Sequence, residues 1–525
     1  MGARHVRGEA LSEPEGPAER VRPARLLAGV AVAVAAYAAA GWLDFDVADP
    51  GRARRAIAIT ALVATYWLSG ALPLGAASLL PLALFPLLAV QPMAGVARGY
   101  SDPILWLFFG GFVLARAIER FALHRRIALR VIGAVGLAPR RLVLGFLAAA
   151  AVISMWISNT ATTLMLMPIG VAVVDRVHAD GVLDARHARR FAVALLLGIA
   201  YGSTIGGIGT PIGSPTNLVF FGAEVYGGLV ADGAPEVSFV QWLLAFAPLS
   251  LVVAVFVWLL LTRVLFPLPA RTDDEAAAML RAELAALGPM RPAERRVLAL
   301  FGATALLWIT RGGIGPLPGW VELVGLPRDS VPDGAIAVFM AVLAFVIPSG
   351  AGDGSALMDW RTASRIPWDM FFLLAGGFAI AQTLDASGAS VAFARSLAPA
   401  VRSLDPVLAL GLVVLSVTLL SEVATNVAIA SLMMPVLLAT ARAAEVDPRV
   451  LLLPATVAAS FGFAMPIATP PNTVIFATGR LTLRDMVSAG LVLDFACAAI
   501  LVAFCFAWAF PVLGIGFGEV PAWFR

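Results

Sequence analysis

The sequence contains no lysine, and all 37 of its basic residues are arginine. Charge of either sign is scarce: 14% of the 525 residues are charged, against about 25% in a typical soluble domain. So few charged residues cannot cover the surface of a soluble protein of this size. The charges lie in short polar stretches, so the formal charge of +3 says little about partners. No nucleic-acid partner is expected.

Cysteine and histidine are almost absent. Cys497 and Cys505 both lie in the last apolar segment, so neither a disulfide framework nor a thiolate metal site is expected. The histidines all fall in polar stretches: His5, His124, His178 and His187. No intramembrane histidine relay, catalytic pair or cofactor site is therefore predicted, and the chain is not expected to be an enzyme.

Apolar residues make up 60% of the chain, and its mean hydropathy is +0.89. Their long runs do not alternate with polar residues, which favours membrane helices over a barrel. The predicted fold is an all-α polytopic membrane protein with about eleven transmembrane helices. The candidate spans are roughly 25–43, 56–71, 73–92, 104–119, 191–221, 241–266, 296–311, 334–349, 370–385, 450–479 and 487–513.

Two further apolar stretches, at about 142–174 and 407–440, have polar centres. Arginines flank the first stretch on both sides, and arginine-rich loops stay in the cytoplasm. A segment that begins and ends on one side must enter the membrane and return, so we predict a re-entrant hairpin. The second stretch is predicted to be a hairpin that opens outward.

The chain divides into two predicted halves, residues 25–266 and 297–525. Residues 1–24 are predicted to be a cytoplasmic tail, and residues 267–296 a cytoplasmic surface helix or a solvated linker. The protein is expected to be a multi-pass protein of the inner (plasma) membrane with its N-terminus in the cytoplasm.

The two halves repeat the same motifs in the same order. The matched blocks are Leu107–Phe112 with Leu373–Phe378, Ser158–Ala161 with Thr425–Ala428, Met167-Pro168 with Met434-Pro435, and Pro211–Asn217 with Pro466–Asn472. The topology count places the copies in opposite orientations. Inverted repeats with broken helices are a recurrent plan of secondary transporters, which bind substrate and ions near the bilayer midplane.

The polar residues at these interruptions suit ion binding. Ser158, Asn159, Thr425 and Asn426 offer neutral oxygens, which suit a weakly held monovalent cation. Gly206–Gly209 and Phe463–Pro466 are predicted to interrupt their helices and free backbone carbonyls for the cation. Broken helices also present N-terminal ends, which favour an anion. The arrangement predicts a sodium–anion symporter, although one such motif alone would indicate only an interhelical hydrogen-bond cluster.

Three acids fall inside apolar segments: Asp385, Glu422 and Asp494. Intramembrane carboxylates are functional candidates by default. We interpret Glu422, beside the second motif, as a support or charge partner for an ion, and Asp494 as structural. The paired Gly-Gly-Phe motifs are interpreted as close helix packing.

At these residues the chain resembles the divalent anion/sodium symporter family of dicarboxylate, citrate and sulfate carriers, over residues 25 to 515. The resemblance implies eleven transmembrane helices and two re-entrant hairpins per protomer, a homodimer, and an elevator motion. It implies a first sodium site at Ser154, Ser158, Asn159 and the backbone near Gly209. It implies a second sodium site at Ser421, Thr425, Asn426 and the backbone near Ala464. The implied substrate contacts are Asn159, Thr160, Thr210, Asn426, Val427 and Pro466.

One position departs from the dicarboxylate carriers of this family. Their second motif reads Ser-Asn-Thr, whereas this chain has Thr425-Asn426-Val427. Val427 lacks the hydroxyl that would bind a second carboxylate, and a hydrogen bond to a charged group is worth about 1.5–3 kcal/mol. A C4-dicarboxylate such as succinate is the leading substrate, and sulfate or another oxyanion stays open.

Three other functions are alternatives to sodium-coupled symport. A sodium-independent anion exchanger stays open, because hydroxyl-rich motifs do not prove sodium binding. An anion channel predicts a continuous polar stripe along several spans, whereas the polar residues concentrate at two interruptions. An intramembrane enzyme would need converging nucleophile, base or metal ligands, and the sequence offers none.

Overall fold

A computed structural model describes residues 22–524, apart from 44, 46, 48, 137, 180–183, 270–284, 313–317, 328–329, 353 and 517–520. The predicted tail at 1–24 therefore lies almost wholly outside the described residues, as does half of the predicted linker at 267–296.

The described chain is helical, and an isolated bridge between Pro348 and Ala356 is its only β-pairing. The first half contains α1 (Pro23–Ala39), α2 (Pro50–Ser69), α3 (Leu74–Ala77), α4 (Leu80–Leu87), α5 (Met93–Tyr100), α6 (Pro103–Arg120), α7 (Leu123–Val135), α8 (Pro139–Ser154), α9 (Asn159–Ala179), α10 (Ala185–Ile208), α11 (Pro215–Phe220), α12 (Gly228–Ala231) and α13 (Phe239–Leu259). The second half contains α14 (Pro292–Thr310), α15 (Trp320–Leu323), α16 (Asp333–Val346), α17 (Trp360–Ala363), α18 (Trp368–Ala386), α19 (Ala389–Ser403), α20 (Pro406–Ser421), α21 (Asn426–Ala444), α22 (Pro448–Ala458), α23 (Pro470–Phe476), α24 (Leu483–Phe504) and α25 (Phe510–Val512). Single π or 3-10 turns lie at Ala40–Trp42, Ala223–Gly227, Leu260–Leu265, Cys505–Ala509 and Ala522–Phe524.

Seven helical segments in the described part are long and apolar enough to cross a bilayer, and α18 with α19, bent by 77°, would be an eighth. The seven are Pro23–Trp42, Met93–Arg120, Asn159–Val177, Ala185–Ile208, Phe239–Leu265, Asn426–Ala444 and Leu483–Val512. Shorter apolar helices lie at Leu74–Leu87, Asp333–Val346, Pro406–Ser421 and Pro448–Ala458. The all-α polytopic fold is confirmed, and the count of eleven spans stays a prediction.

Asp-Pro pairs start four of the helices. Proline at the first helical position needs no amide partner, and the preceding aspartate accepts a backbone N–H of the first turn. The carboxylates concerned are Asp49, Asp102, Asp405 and Asp447, each 2.9–3.1 Å from the nitrogen that it accepts. Local sequence thus fixes where α2, α6, α20 and α22 begin.

Helix α10 lies at the centre of the first half, and every residue from Phe191 to Ile208 is buried. Glycines spaced four residues apart bring α8 close to it. A Cβ at Gly202 would lie 2.5 Å from the Leu147 carbonyl oxygen, and one at Gly206 would lie 2.1 Å from that of Ala151. This contact brings the C-terminal end of α8 to the C-terminal end of α10.

The two predicted spans that contain the Pro-rich motifs are both broken. Helix α10 ends at Ile208 and α11 begins at Pro215, while α22 ends at Ala458 and α23 begins at Pro470. The sequence interpretation placed the first interruption at Gly206–Gly209. The structure differs there, because Gly206 and Gly207 complete the last turn of α10 and the break begins at Gly209.

Three of the four Gly-Gly-Phe glycines serve close packing, as predicted, whereas a Cβ at Gly111 would meet nothing within 4 Å. A Cβ at Gly110 would lie 2.5 Å from the Ala337 carbonyl carbon, and one at Gly376 would lie 2.6 Å from the Ser78 carbonyl oxygen. Any side chain at either position would separate the packed helices.

Candidate functional site

The first tip, Met155–Ser158, joins α8 to α9 and is held by the asparagine that follows it. The side-chain amide of Asn159 is oriented so that its nitrogen faces hydrogen-bond acceptors. In that orientation Nδ2 donates to Ser154 Oγ at 2.6 Å, to the Ser203 carbonyl at 3.1 Å and to the Gly213 carbonyl at 3.2 Å. Asn159 therefore joins its own hairpin to α10 and to the loop after α10.

The loop Gly209–Ser214, here called the first segment, lies against this tip. The Thr210 hydroxyl donates to the Met155 carbonyl of the tip and accepts the Gly213 N–H at 3.0 Å. From α11, Asn217 Nδ2 donates to the carbonyls of Gly207 and Thr210, both at 2.8 Å. The segment is thus held from both sides by neutral side chains.

The second tip, Glu422–Thr425, joins α20 to α21 in the same way. A Cβ at Gly462 would lie 3.1 Å from the Ser421 carbonyl oxygen and 3.3 Å from Asn426 Oδ1, so these groups surround Gly462. Thr425 Oγ1 and Asn426 Oδ1 are buried atoms without a hydrogen-bond partner in the described chain. Buried oxygens of this kind are suited to a cation, because an unpaired buried acceptor is otherwise unfavourable.

The loop Ala459–Thr469, the second segment, is tied to this tip by a carboxylate. The backbone N–H groups of Ala464 and Met465 donate to Glu422 Oε1 at 2.9 Å and to Oε2 at 2.7 Å. Asn472 Nδ2 donates to the carbonyls of Gly462 at 2.9 Å and Met465 at 3.0 Å. Glu422 therefore makes the connection that Thr210 makes in the first half.

The two halves interlock around these tips. Helix α9 packs against α23, which follows the second segment, and α21 packs against α11, which follows the first. The Tyr201 hydroxyl of α10 donates to the Phe463 carbonyl at 3.0 Å. Both tips and both segments therefore belong to one packed body.

The structure brings most of the sequence-predicted site residues together. In the first half, Ser154 and Asn159 are in contact, and Gly209 and Thr210 lie against the tip residue Met155. In the second half, Ser421 and Asn426 flank Gly462, and the Ala464 N–H is bonded to Glu422.

The remaining predicted residues have fewer contacts. Ser158 Oγ accepts the Ala161 N–H at 3.3 Å, and the Pro466 carbonyl accepts the Thr473 hydroxyl at 2.6 Å. Thr160 and Val427 directly follow the tip asparagines, and Val427 is buried. Their roles toward substrate stay predictions.

The sequence alone does not reveal several residues that hold the site together. Asn217 and Asn472 stand out in the sequence only as parts of the repeated motifs, yet each one holds a segment. The available signal is that the chain has four asparagines, each in the first turn of a helix that follows a tip or a segment. Tyr201 and Ser203 carried no signal, because a tyrosine or serine in an apolar helix is common.

The site contains no fixed positive charge. The arginines buried in the described part are Arg126, Arg311 and Arg449, and each pairs with a carboxylate elsewhere. Among the described residues, no three His, Cys, Asp or Glu side chains gather as a multivalent metal would require. The local chemistry is that of hydroxyl, amide and backbone groups, which suit a monovalent cation and an anion.

Comparison with known proteins agrees with this geometry. The family model of the sodium:sulfate symporter transmembrane region matches residues 46–515. The sodium-dependent dicarboxylate transporter SdcS of Staphylococcus saprophyticus is 34% identical over 462 residues, covering 87% of this chain and 86% of that protein. SdcS of Staphylococcus aureus is 33% identical over 469 residues, covering 88% and 87%.

The YdaH transporter of Alcanivorax borkumensis, described as having an unusual topology, has a similar fold. Its TM-score is 0.52 at 13% identity, covering 79% of this chain and 87% of that one. The predicted resemblance is confirmed, as is the expectation of a multi-pass plasma-membrane transporter rather than an enzyme. The chain belongs to the sodium:sulfate symporter family.

Proposed function

We propose that this transporter couples the inward movement of sodium to the import of a small divalent anion, with a C4-dicarboxylate such as succinate preferred. The observation that carries the proposal is the pair of tips, each of which places neutral oxygens beside the N-terminus of a long helix. The names of the SdcS relatives support sodium and a dicarboxylate as the transported pair.

Each tip supplies one sodium site in this proposal. The first comprises side-chain oxygens of the first tip and a backbone carbonyl at its segment: Ser154, Ser158, Asn159 and Gly209. The second comprises the equivalent groups: Ser421, Thr425, Asn426 and Ala464. The unpartnered oxygens of Thr425 and Asn426 support the second site, because sodium would satisfy them.

The anion would bind between the two tips. Helices α9 and α21 begin at Asn159 and Asn426, so their first-turn N–H groups and positive dipole ends are available there. Thr160, Thr210, Val427 and the Pro466 backbone complete the proposed substrate contacts.

Coupling follows from the charge of this site. A divalent anion in a buried site that lacks arginine is unfavourable unless cations bind beside it. Sodium bound at the tips would supply that positive charge. Anion binding would then depend on sodium without any change in the anion's own contacts.

The packing of the tips supports an elevator-type motion. The contacts of α9 with α23 and of α21 with α11 join both tips and both segments into one body, which could move as a unit. The proposal includes a homodimer, two re-entrant hairpins in inverted repeats, and a cytoplasmic N-terminus.

Val427 favours one second candidate, a sodium/sulfate symporter. Its side chain is 6% exposed and carries no hydroxyl, so the second tip offers one donor fewer than the first. Sulfate has no separate second carboxylate, so it would not need the hydroxyl that Val427 lacks. A sodium-independent dicarboxylate exchanger is the remaining alternative within the same fold.

The test is uptake of radiolabelled succinate into proteoliposomes with and without an inward sodium gradient. We expect sodium-dependent uptake that dicarboxylates block and that Asn159→Ala or Asn426→Ala abolishes. Thr440→Ala is a matched control, because in the described chain this buried hydroxyl of α21 bonds only within its helix, to Val436.

Other outcomes assign other functions. Uptake that is independent of sodium but requires anion inside the proteoliposomes would show exchange instead of symport. Sulfate uptake without succinate uptake would make the protein a sulfate symporter.

A further inference from the structure

We propose that Tyr201, Glu422 and Asp494 form a clamp that orients the backbone of Phe463–Met465 and thereby builds the second sodium site. The inference rests on the proposed function, because it assigns positioning residues to one of its two cation sites. The three side chains come from α10, from the second tip and from α24.

The clamp binds every N–H of this short stretch. Asp494 Oδ1 accepts the Phe463 N–H at 3.3 Å, and Glu422 accepts the next two. On the carbonyl side, Tyr201 donates to Phe463 at 3.0 Å. Three side chains thus determine the rotation of consecutive peptide planes.

These hydrogen bonds decide where the Ala464 carbonyl points. In a trans peptide, the N–H of one residue and the carbonyl of the residue before it point in opposite directions. The described chain contains no cis peptide. Because the Met465 N–H points at Glu422, the Ala464 carbonyl points away from Glu422. No hydrogen bond to this carbonyl is present in the described chain, so it is available to a cation.

Burial supports a specific role for Asp494. Its side chain is 0% exposed, and its Oδ2 has no hydrogen-bond partner in the described chain. The Glu422 carboxyl is one of its neighbours. A Cβ at Gly490, one turn earlier on α24, would lie 2.2 Å from the Ala464 Cα, so α24 touches the segment directly. Burying an ionisable acid within the membrane costs free energy, so such a residue is a functional candidate by default.

In the first half, the equivalent backbone stretch is oriented without an acid. There the carbonyl of Ile208 accepts the indole N–H of Trp242 at 3.0 Å, and Thr210 bonds to Met155. Ile208 and Phe463 stand at the same position of the repeat, so Trp242 and Tyr201 play equivalent parts. The acids are therefore particular to the second site.

Tyr201 also connects the two sites. It lies on α10, whose C-terminal end leads into the first segment, and its ring packs edge-on against Phe463 at 5.1 Å. A displacement of α10 on sodium binding at the first tip would reach the second segment through this residue. The clamp therefore predicts cooperative sodium binding.

The experiment measures sodium and succinate dependence separately in proteoliposomes of the full chain. We expect Asp494→Ala to raise the half-saturating sodium concentration by about tenfold, the effect of one lost charge-assisted hydrogen bond. The half-saturating succinate concentration at saturating sodium should stay near the wild-type value. Asp494→Asn should restore sodium affinity, because its amide oxygen can still accept the Phe463 N–H.

Two further variants complete the test. Tyr201→Phe should lower the Hill coefficient for sodium, since it removes the hydrogen bond and keeps the ring. Cys497→Ala is the matched control, being equally buried one turn along α24. Monodispersity in detergent establishes that each variant folds. If Asp494→Ala does not fold, Asp494→Asn and Tyr201→Phe provide the test.

The proposal is overturned if Asp494→Ala matches Cys497→Ala, if Asp494→Asn fails to restore sodium affinity, or if the Hill coefficient of Tyr201→Phe is unchanged. Thermal stabilisation by sodium, measured without substrate, distinguishes failure of the clamp proposal from failure of the proposed transport function. A wild type that is stabilised by sodium but takes up no dicarboxylate refutes the transport assignment alone. In that case the same variants are compared by stabilisation, and a wild type that sodium does not stabilise overturns both.

Discussion

Asn217 and Asn472 make the same two hydrogen bonds in the two halves of the chain. Nδ2 of each donates to the carbonyls ten and seven residues before it, at 2.8 Å in the first half and at 2.9 and 3.0 Å in the second. Each amide thereby closes the loop that carries one segment. The repeat seen in the sequence is thus a repeat of hydrogen bonding.

Replacing Asn217 or Asn472 by alanine should loosen these loops. Two buried carbonyls lose their donor, which should lower the free energy of unfolding by about 2–4 kcal/mol. We expect reduced thermal stability in detergent and loss of succinate uptake. Asn217→Asp keeps the size but cannot donate, so it should behave like alanine. Normal uptake by Asn217→Asp would contradict the assigned donor role.

Reciprocal exchanges at the tips should shift substrate preference. Val427→Thr adds a hydroxyl where the second tip lacks one, and Thr160→Val removes the hydroxyl at the matching position of the first tip. A hydrogen bond to a carboxylate is worth about 1.5–3 kcal/mol, or tenfold and more in affinity. We expect Val427→Thr to lower the half-saturating succinate concentration and Thr160→Val to raise it.

Competition between succinate and sulfate in the same proteoliposomes measures the shift. Val427→Ile, which changes size without adding a hydroxyl, is the control. Equal effects of Val427→Thr and Val427→Ile on the succinate-to-sulfate ratio would remove the hydrogen-bond explanation.

Much of the fold and the outline of the site could be predicted from local chemistry. Long apolar runs specify membrane helices, Asp-Pro pairs begin several of them, and the Pro-x-x-x-Pro-x-Asn blocks mark the two breaks. The polar residues at the tips were recognisable because Ser158–Thr160 and Thr425-Asn426 interrupt apolar stretches. Such features depend on neighbours in the sequence, so the sequence displays them directly.

The clamp could not be predicted, because its contacts join distant residues. Asp494 was interpreted as structural, since nothing near it in the sequence connects it to Phe463. Tyr201 reaches Phe463 across 262 positions, through the packing of two different halves. The sequence also misplaces the end of α10. Paired glycines usually interrupt helices, whereas here Gly206 permits the close contact with α8.

Adding a methyl group at Gly207 should disable the first tip without unfolding the protein. A Cβ there would lie 2.7 Å from the Asn159 amide and 3.0 Å from the Gly213 carbonyl oxygen, so Asn159 must move. We expect Gly207→Ala to lose most sodium-dependent uptake. Gly411→Ala in α20 is the matched control, because no atom lies within 4 Å of its Cβ. It should transport normally, and loss of uptake in both variants would contradict this reasoning.

A buried ion pair outside the site should contribute strongly to the free energy of unfolding. Arg126 and Glu294 are 3% and 7% exposed, their charged atoms lie 3.0 Å apart, and Arg126 also donates to the carbonyls of Leu287 and Gly288. Arg126→Ala leaves a buried carboxylate unpaired and should lower the free energy of unfolding by about 3–5 kcal/mol.

The exposed pair Arg120–Asp359, at 2.7 Å, is the control for this prediction. Breaking an exposed pair costs at most about 1 kcal/mol, because water solvates the remaining charge. Thermal unfolding in detergent should therefore show a large loss for Arg126→Ala and a small one for Asp359→Asn. Glu294→Leu combined with Arg126→Met should recover part of the loss, because neither charge remains buried alone. Equal unfolding temperatures for Arg126→Ala and Asp359→Asn would show that burial does not set the strength of these pairs.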